Sequence, residues 1–293
     1  MPLKTREAVW GFAFILPWLL GFVLFSLGPI VGVFYFSLTE YSVFDVPRWV
    51  GLANYARMLR EDELFWQSSY NTLYYVALRV PLHVGLGFLL ALLLHRNLRG
   101  IGWFRTAFYL PAVMPIVATA VIWMWLFQPN VGVVNYLLEL LGLPKILWLT
   151  SDLWAKPAIV LISLWHVGPI MVIFLAGLND IPDHLYEAAS IDGAGRFRRL
   201  LYITIPMMTP VLFFNLIMDV INSFQVFAFA FIMTQGGPLN STLFTALYIY
   251  QNAFQYFEMG YASALSVVLF LVILGFTVII VKSQARWVHY ERL

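Results

Sequence analysis

The sequence predicts an all-α membrane protein whose chain crosses a lipid bilayer six times. Hydrophobic residues make up 61% of the 293 residues, and Asp, Glu, Lys and Arg only 11%. Soluble domains average about 45–50% and about 25%. The apolar residues are collected in six runs, each long enough to span a hydrocarbon core about 30 Å thick as an α-helix. The runs occupy approximately residues 9–38, 69–94, 106–128, 155–178, 207–234 and 260–281.

The loops between the runs are short, so residues 1–293 are predicted to form a single transmembrane domain surrounded by membrane lipid. The first run, Val9 to Leu38, contains no charged residue and is too long for the apolar core of a signal peptide, which predicts an uncleaved first span. Cysteine is absent, so neither a disulfide framework nor a thiolate metal site can form. The net charge of +2 is too small to indicate nucleic acid as a partner.

Several of the later runs contain prolines, glycines or charged residues. The third run contains two prolines, and the fourth contains the pair Gly168-Pro169. Charged residues lie inside the second and fifth runs, at Arg79 and Asp219. Because charge inside a membrane is costly, such residues mark functional sites or paired groups.

The Lys and Arg residues near the ends of the spans predict the orientation, because cytoplasmic segments carry the excess. With a cytoplasmic N-terminus, eleven lie in inside segments and five in outside segments, and Arg79 is left within a span. The inside residues are Lys4, Arg6, Arg96, Arg99, Arg105, Arg196, Arg198, Arg199, Lys282, Arg286 and Arg292. The outside residues are Arg48, Arg57, Arg60, Lys145 and Lys156. Both termini are therefore predicted to be cytoplasmic.

The loop between the fourth and fifth runs, residues 179–206, is the densest polar stretch between two apolar runs and lies on the predicted cytoplasmic side. It begins with signals for the start of a helix. Asp180 can cap the helix, Pro182 fits its first turn, and Asp183 adds negative charge near the positive end of the helix dipole. A short helix is therefore predicted to begin near Ile181.

The same loop contains a predicted break between two helical segments. Gly193 to Gly195 should interrupt the first helix, and a second segment should lead from Arg196 into the fifth run. Gly193 is predicted to adopt a positive φ angle. The alternative is that close packing excludes a side chain at this position.

Three segments of the loop together carry a resemblance to a known family. They read Glu187-Ala188-Ala189, Asp192-Gly193-Ala194 and Ile203-Thr204-Ile205-Pro206. With this spacing the loop resembles the EAA loop of permease subunits in bacterial ABC importers, specifically the maltose and glycerol-3-phosphate type that serves carbohydrates. Gly195 and Leu200 depart mildly from the usual pattern, at positions outside the core of the motif.

In that family the helix of the loop docks into a groove on the ATPase subunit, so that nucleotide-driven closure moves the membrane helices. The resemblance therefore implies that residues 179–206 form a cytoplasmic coupling loop. The implied coupling residues are Glu187, Ala188, Ala189, Asp192, Gly193, Ala194 and Pro206. Glu187 is implied to be the charged anchor of docking, and the alternative is a solvated surface carboxylate.

The resemblance extends to segments on both sides of the coupling loop. These are Gly51-Leu52-x-Asn54-Tyr55, Asn71-Thr72, Asn135-Tyr136-Leu137 and Thr234-x-Gly236-Gly237-Pro238. The family implies a multi-pass protein of the bacterial plasma membrane that moves a sugar or polyol inward. The implied partners are a second permease subunit in a hetero-dimer, an ATPase dimer and an extracytoplasmic sugar-binding protein.

Sequence motifs for other chemistry are missing. There is no His-Glu-x-x-His, no Gly-x-Ser-x-Gly and no cluster of metal ligands, so neither a catalytic residue nor a metal site is predicted. There is no P-loop, so ATP is expected to bind to a partner subunit and no cofactor is expected in this chain. The remaining alternatives are a permease of the same superfamily for a non-sugar solute, an intramembrane enzyme and a non-transporting scaffold.

Polar residues of the fifth run share one helix face, because their spacing is i, i+4, i+7 and i+8. They are Asn215, Asp219, Asn222 and Ser223. At about 1.5 Å per residue, Arg79, His166 and Asp219 all come near the middle of the bilayer core. One hypothesis is a substrate path in which these residues bind sugar hydroxyls. The alternative is that Asp219 and Arg79 form a buried structural pair.

Overall fold

The computed structural model of the protein describes residues 3–95 and 99–289, and nearly all of the regular structure in them is helical. The chain divides into two compact units. Unit 1 comprises Met1–Asp62 and Ile249–Phe270, and unit 2 comprises Glu63–Tyr248 and Leu271–Leu293. The single transmembrane domain stays a prediction.

Unit 1 contains the first span, a short hairpin, a connecting helix and the start of the last span. Its elements are α1 (Leu3–Phe22), a π-helical segment (Val23–Leu27), α2 (Gly28–Phe36), β1 (Thr39–Glu40), β2 (Arg48–Trp49), α3 (Ala53–Arg60), a second π-helical segment (Gln251–Gln255) and the first part of α14 (Met259–Trp287). The strands pair antiparallel, with Thr39 opposite Trp49.

Unit 2 contains the remaining helices. They are α4 (Glu63–Leu94), α5 (Ile101–Val113), α6 (Ile116–Leu126), α7 (Val133–Leu140), α8 (Asp152–Leu164), α9 (Gly168–Asn179), α10 (Asp183–Ile191), α11 (Arg196–Arg199), α12 (Ile205–Phe224) and most of α13 (Thr245–Tyr250). Two π-helical segments, Leu200–Thr204 and Ala230–Thr234, lie before and after α12.

Length and apolar composition support the six predicted spans. Four unbroken helical stretches qualify, and two bent helix pairs bring the total to as many as six. The unbroken stretches are Trp10–Phe36, Glu63–Leu94, Arg196–Phe224 and Met259–Trp287. The bent pairs are α5 with α6 and α8 with α9. The second span begins six residues before its predicted bound, and the sixth ends six residues beyond it.

The third predicted span is not one straight helix. Helices α5 and α6 meet at an angle of 102° across Met114 and Pro115. Met114 has a ψ of 137°, because a residue that precedes proline is driven out of the helical region. The fourth predicted span is also bent, by 46°, at the break before Gly168.

The helix that contains the fifth predicted span, residues 207–234, begins before the span and ends within it. The helix runs without a break from Arg196 through the π-helical segment into α12, and it ends at Phe224. At this end the Gln225 N–H donates to the Asn222 carbonyl at 3.2 Å, an i→i+3 bond that tightens the last turn of a helix. Apolar residues alone therefore placed the end of this helix beyond Phe224.

Helices α4, α9 and α12 form the core of unit 2, and glycines allow their close approach. A Cβ added at Gly87 would lie 2.6 Å from Ile170 of α9, and one at Gly177 would lie 2.8 Å from Val211 of α12. One at Gly168 would lie 2.7 Å from the backbone of α5. The buried cluster comprises Leu90, Ala91, Leu94, Val167, Ile170, Met171, Phe174, Leu175, Leu178, Ile181 and Met208.

Candidate functional site

The coupling loop contains a helix, a turn and a second helix, as the sequence predicts. Helix α10 begins at Asp183, two residues later than expected. Pro182 occupies the N-cap position instead of the first turn, and no side chain caps the helix. The prediction for Asp180 was wrong, because this residue instead follows the last residue of α9 and its N–H bonds to carbonyls of that helix.

The turn after α10 ends the helix through the conformation of Gly193. Its φ angle is +75°, a region that glycine enters without steric penalty. The Ala194 N–H donates to the Ala189 carbonyl at 2.8 Å, and the Gly193 N–H donates to the Ser190 carbonyl at 3.1 Å, which is the Schellman pattern of a helix C-terminus. A Cβ at Gly193 would meet no atom within 4 Å, so the backbone conformation and not close packing favours glycine here.

Hydrogen bonds fasten α10 to the start of the fifth span. Arg199 Nη1 donates to Ser190 Oγ at 2.9 Å, and Ser190 Oγ donates to the Tyr186 carbonyl at 2.6 Å. The hydroxyls of Tyr186 and Thr204 lie 2.9 Å apart. Leu185 and Tyr186 also pack against the buried core cluster. Helix α10 is therefore connected both to the start of the fifth span and to that core.

The outer surface of the coupling loop is open. Glu187 makes no salt bridge within the described part of the chain. Large apolar side chains are exposed beside it: Ile191 is 87% exposed, Phe197 72% and Tyr202 74%. Of the implied coupling residues, the exposed ones are Glu187, Ala188, Asp192 and Gly193, and the half-buried ones are Ala189, Ala194 and Pro206.

A buried ion pair joins α4 and α12. Arg79 Nη1 donates to Asp219 Oδ1 at 2.7 Å and to Ser223 Oγ at 2.5 Å. The side chains of Arg79 and Asp219 are 13% and 6% exposed. His83 Nδ1 lies 2.9 Å from the same Asp219 oxygen. These contacts link α4 to α12.

Sequence reasoning did not assign a role to His83, although a signal was present. It follows Arg79 by four residues, so both side chains share one face of α4. His83 Nε2 and Asp219 Oδ2 are buried and have no hydrogen-bond partner among the described residues. Each of these atoms can still accept or donate a hydrogen bond, depending on protonation.

The other residues of the predicted substrate path lie in different surroundings. Asn215 is buried, and its Nδ2 donates to the Val211 carbonyl at 2.9 Å. Asn222 is exposed. His166 is half-buried, with its ring 5.8 Å from that of Phe229, and it makes no hydrogen bond with the ion pair within residues 3–95 and 99–289. The structure thus joins Asp219, Arg79 and Ser223 by hydrogen bonds, and the side-chain bond of Asn215 goes to the backbone instead.

Two asparagines from the flanking segments brace loops. Asn71 Nδ2 donates to the carbonyls of Asn240 and Leu243 at 2.8 and 3.0 Å. Asn135 Nδ2 donates to the carbonyls of Pro129 and Ile146 at 3.1 and 2.9 Å. A buried amide that satisfies backbone groups in this way fixes the path of a loop.

The helical spans, the buried pair between them and the open coupling loop together define a membrane permease component. The chain belongs to the family of inner membrane components of binding-protein-dependent transport systems, whose family model matches residues 83–288. This range includes the coupling loop and all of α12. The predicted family is confirmed.

Individual relatives match nearly the whole chain. A probable ABC transporter permease protein, YesP, of Bacillus subtilis (strain 168) is 43% identical, covering 98% of this chain and 94% of its own length. The trehalose/maltose transport system permease protein MalF of Thermococcus litoralis is 36% identical over 96% and 95%. A chain from the crystal structure of a bacterial alginate ABC transporter, in complex with a pentasaccharide-bound periplasmic protein, shares the fold with a TM-score of 0.82 and 22% identity, over 97% and 96%.

Proposed function

We propose that this permease subunit moves a carbohydrate inward, driven by ATP hydrolysis in a partner subunit. Family membership makes the chain a transport permease. Support for a carbohydrate comes from relatives named for trehalose/maltose, lactose and arabinooligosaccharide transport, 32–36% identical over 92–96% of this chain. The alternative is that the permease moves a non-sugar solute.

The observation that carries the proposal is the open coupling loop fastened to the core. Helix α10 presents Glu187 beside exposed apolar side chains, which suits a protein partner better than water. The bonds through Ser190 and Tyr186 carry a displacement of α10 into α12 and the core cluster. Hydrolysis is assigned to an ATPase dimer, since the chain has no P-loop.

The remaining assignments follow from span counting and charge. Both termini and the coupling loop are cytoplasmic. The excess of Lys and Arg then lies on the cytoplasmic side of a bacterial plasma membrane. A second permease subunit completes the translocation path in a hetero-dimer. An extracytoplasmic sugar-binding protein delivers the substrate to the opposite side.

We assign the Arg79–Asp219 pair a structural role. Arg79 donates to Asp219 Oδ1 in a buried site, so a sugar hydroxyl at that oxygen would have to displace an existing charge-assisted bond. Asn222 is exposed on the same helix and is free to face a ligand. The substrate path is therefore proposed to run along the side of α12 that carries Asn222.

The test is purification of the tagged chain from cells that express its neighbouring transport subunits. An ATPase and a second permease should co-elute, and a carbohydrate-loaded binding protein should stimulate ATP hydrolysis. Glu187→Ala should reduce the co-eluting ATPase. Glu139→Ala, which removes an exposed carboxylate of α7 outside the coupling loop, is the matched control and should not. If only a non-sugar solute stimulated ATP hydrolysis, that solute would replace carbohydrate as the proposed substrate. The absence of any co-eluting ATPase would overturn the proposal.

A further inference from the structure

A cavity of about 1110 Å³ lies within unit 1, and the proposed coupling function gives it no role. The hairpin β1–β2, helix α3 and the turn before α14 enclose it. Ligand pockets range from about 300 to 1,000 Å³, so the cavity has room for several sugar rings. In the orientation predicted from the sequence these segments are extracytoplasmic, on the side from which an imported substrate arrives.

The walls of the cavity are fixed by charged contacts. Arg57 Nη2 lies 3.0 Å from Glu258 Oε2, and the Arg57 guanidinium lies 4.3 Å from the centre of the Tyr261 ring. The Tyr261 hydroxyl donates to Asp62, which belongs to the same unit. A site whose polar groups are already held in place binds with less loss of conformational entropy.

Aromatic side chains line part of the cavity. Phe44 and Phe257 lie 5.3 Å apart between ring centroids and are 77% and 42% exposed. Phe257 has a φ angle of +60°, an uncommon and strained conformation for a bulky residue that is characteristic of ligand-binding sites. Exposed rings offer flat apolar surfaces to the C–H faces of sugar rings, while the neighbouring polar groups bind hydroxyls.

The charge of the cavity limits which sugars fit. Its lining contains four carboxylates and two guanidinium groups, a formal net charge of −2. Glu40 pairs with Arg48, and Glu258 pairs with Arg57. The unbalanced negative charge accepts hydrogen bonds from hydroxyls and repels the carboxylates of acidic sugars.

We propose that this cavity is an extracytoplasmic carbohydrate subsite that takes a neutral oligosaccharide and discriminates against an acidic one. The proposal rests on the proposed carbohydrate transport and adds a second place where the substrate is held. It also separates this chain from the alginate importer, whose cargo is described as an acidic polysaccharide.

The test uses the assembled permease–ATPase complex in lipid nanodiscs, without the binding protein. Saturation-transfer NMR measures binding of neutral malto-, arabino- and galacto-oligosaccharides of three to five rings, and of oligogalacturonates of equal length. Phe257→Gly removes a ring and suits a positive φ, so the complex should assemble while neutral sugars bind at least about tenfold more weakly. Trp49→Ala removes an exposed ring of β2 outside the cavity lining and should leave binding unchanged.

A second variant tests the charge. Asp45→Lys together with Glu61→Lys changes two exposed lining carboxylates and should shift the preference from neutral sugars toward oligogalacturonates.

Binding of neutral sugars that is lost in Phe257→Gly and kept in Trp49→Ala supports the subsite. Three results would overturn it: no binding of any probe, preference of the wild type for oligogalacturonates, or equal binding of neutral sugars by the wild type and Phe257→Gly. If wild-type ATPase activity still responds to a carbohydrate-loaded binding protein, the proposed transport function stands even when the subsite is disproved.

Discussion

Removal of the Asp219 carboxylate tests whether the buried pair holds α4 against α12. In Asp219→Ala, Arg79 loses its bond of 2.7 Å and retains Ser223 as a partner, while its side chain stays 13% exposed. Removing one member of a buried ion pair costs about 3–5 kcal/mol, because the other charge stays buried without compensation. At roughly 2 °C per kcal/mol or more for a chain of this size, the melting temperature should fall by at least about 6 °C.

The assay is thermal unfolding of the purified complex in detergent, measured in parallel with transport. Asn222→Ala on the exposed face of α12 is the matched control for the melting temperature alone, because Asn222 is proposed to line the substrate path. A surface substitution of this kind changes stability by about 0.5 kcal/mol or less. The exchange of Asp219→Arg with Arg79→Asp should recover stability and transport relative to either single variant. His83, which lies beside the pair, limits full recovery.

Two results would refute the structural role. An Asp219→Ala complex that melts with the wild type would show that the pair does not stabilise the helix contact. A stably assembled Asp219→Ala complex that hydrolyses ATP and moves no sugar would assign the carboxylate to the substrate path instead. Normal transport by Asp219→Ala would show that the substrate path does not pass this carboxylate.

Three further substitutions test the coupling loop and the helix packing. Glu187→Ala should weaken ATPase association or uncouple transport, with membrane insertion intact, since loss of one partner of an interfacial charge pair costs about 2–5 kcal/mol; wild-type transport would contradict this. Gly193→Asn should keep more activity than Gly193→Ala, because asparagine enters the left-handed region more readily, and the reverse order would argue for packing. Gly168→Ala should lower stability by about 1–3 kcal/mol, because its Cβ would lie 2.7 Å from the Phe108 carbonyl oxygen. The control Gly195→Ala places its Cβ in open space and should leave stability unchanged. Equal melting temperatures of the two variants would disprove the close contact.

The sequence predicted the features that depend on local chemistry. Apolar runs located the spans, and the positive φ at Gly193 followed from a glycine between two helical segments. The depth estimate brought Arg79 and Asp219 to the same level, and the structure places them in contact. Each of these needs only residue type, spacing and the rise of a helix.

Features set by tertiary contacts escaped prediction. The bend of 102° between α5 and α6 was not predicted, because it depends on how both helices pack. The end of the fifth span at Phe224 was missed, because the apolar residues after it fold into a turn and a π-helical segment. His83 was not assigned a role, because only the packing of α4 on α12 shows that it meets Asp219.

ATP-dependent uptake into proteoliposomes tests the central claim most directly. The purified complex of this chain, its second permease and the ATPase is reconstituted, the loaded binding protein and labelled carbohydrate are added on the extracytoplasmic side, and ATP is supplied to the ATPase side. We expect the label to accumulate with ATP and not with a non-hydrolysable analogue. Uptake that is equal with the two nucleotides, or no uptake while ATP is hydrolysed in response to the loaded binding protein, would contradict the assignment of this chain as a coupled carbohydrate permease.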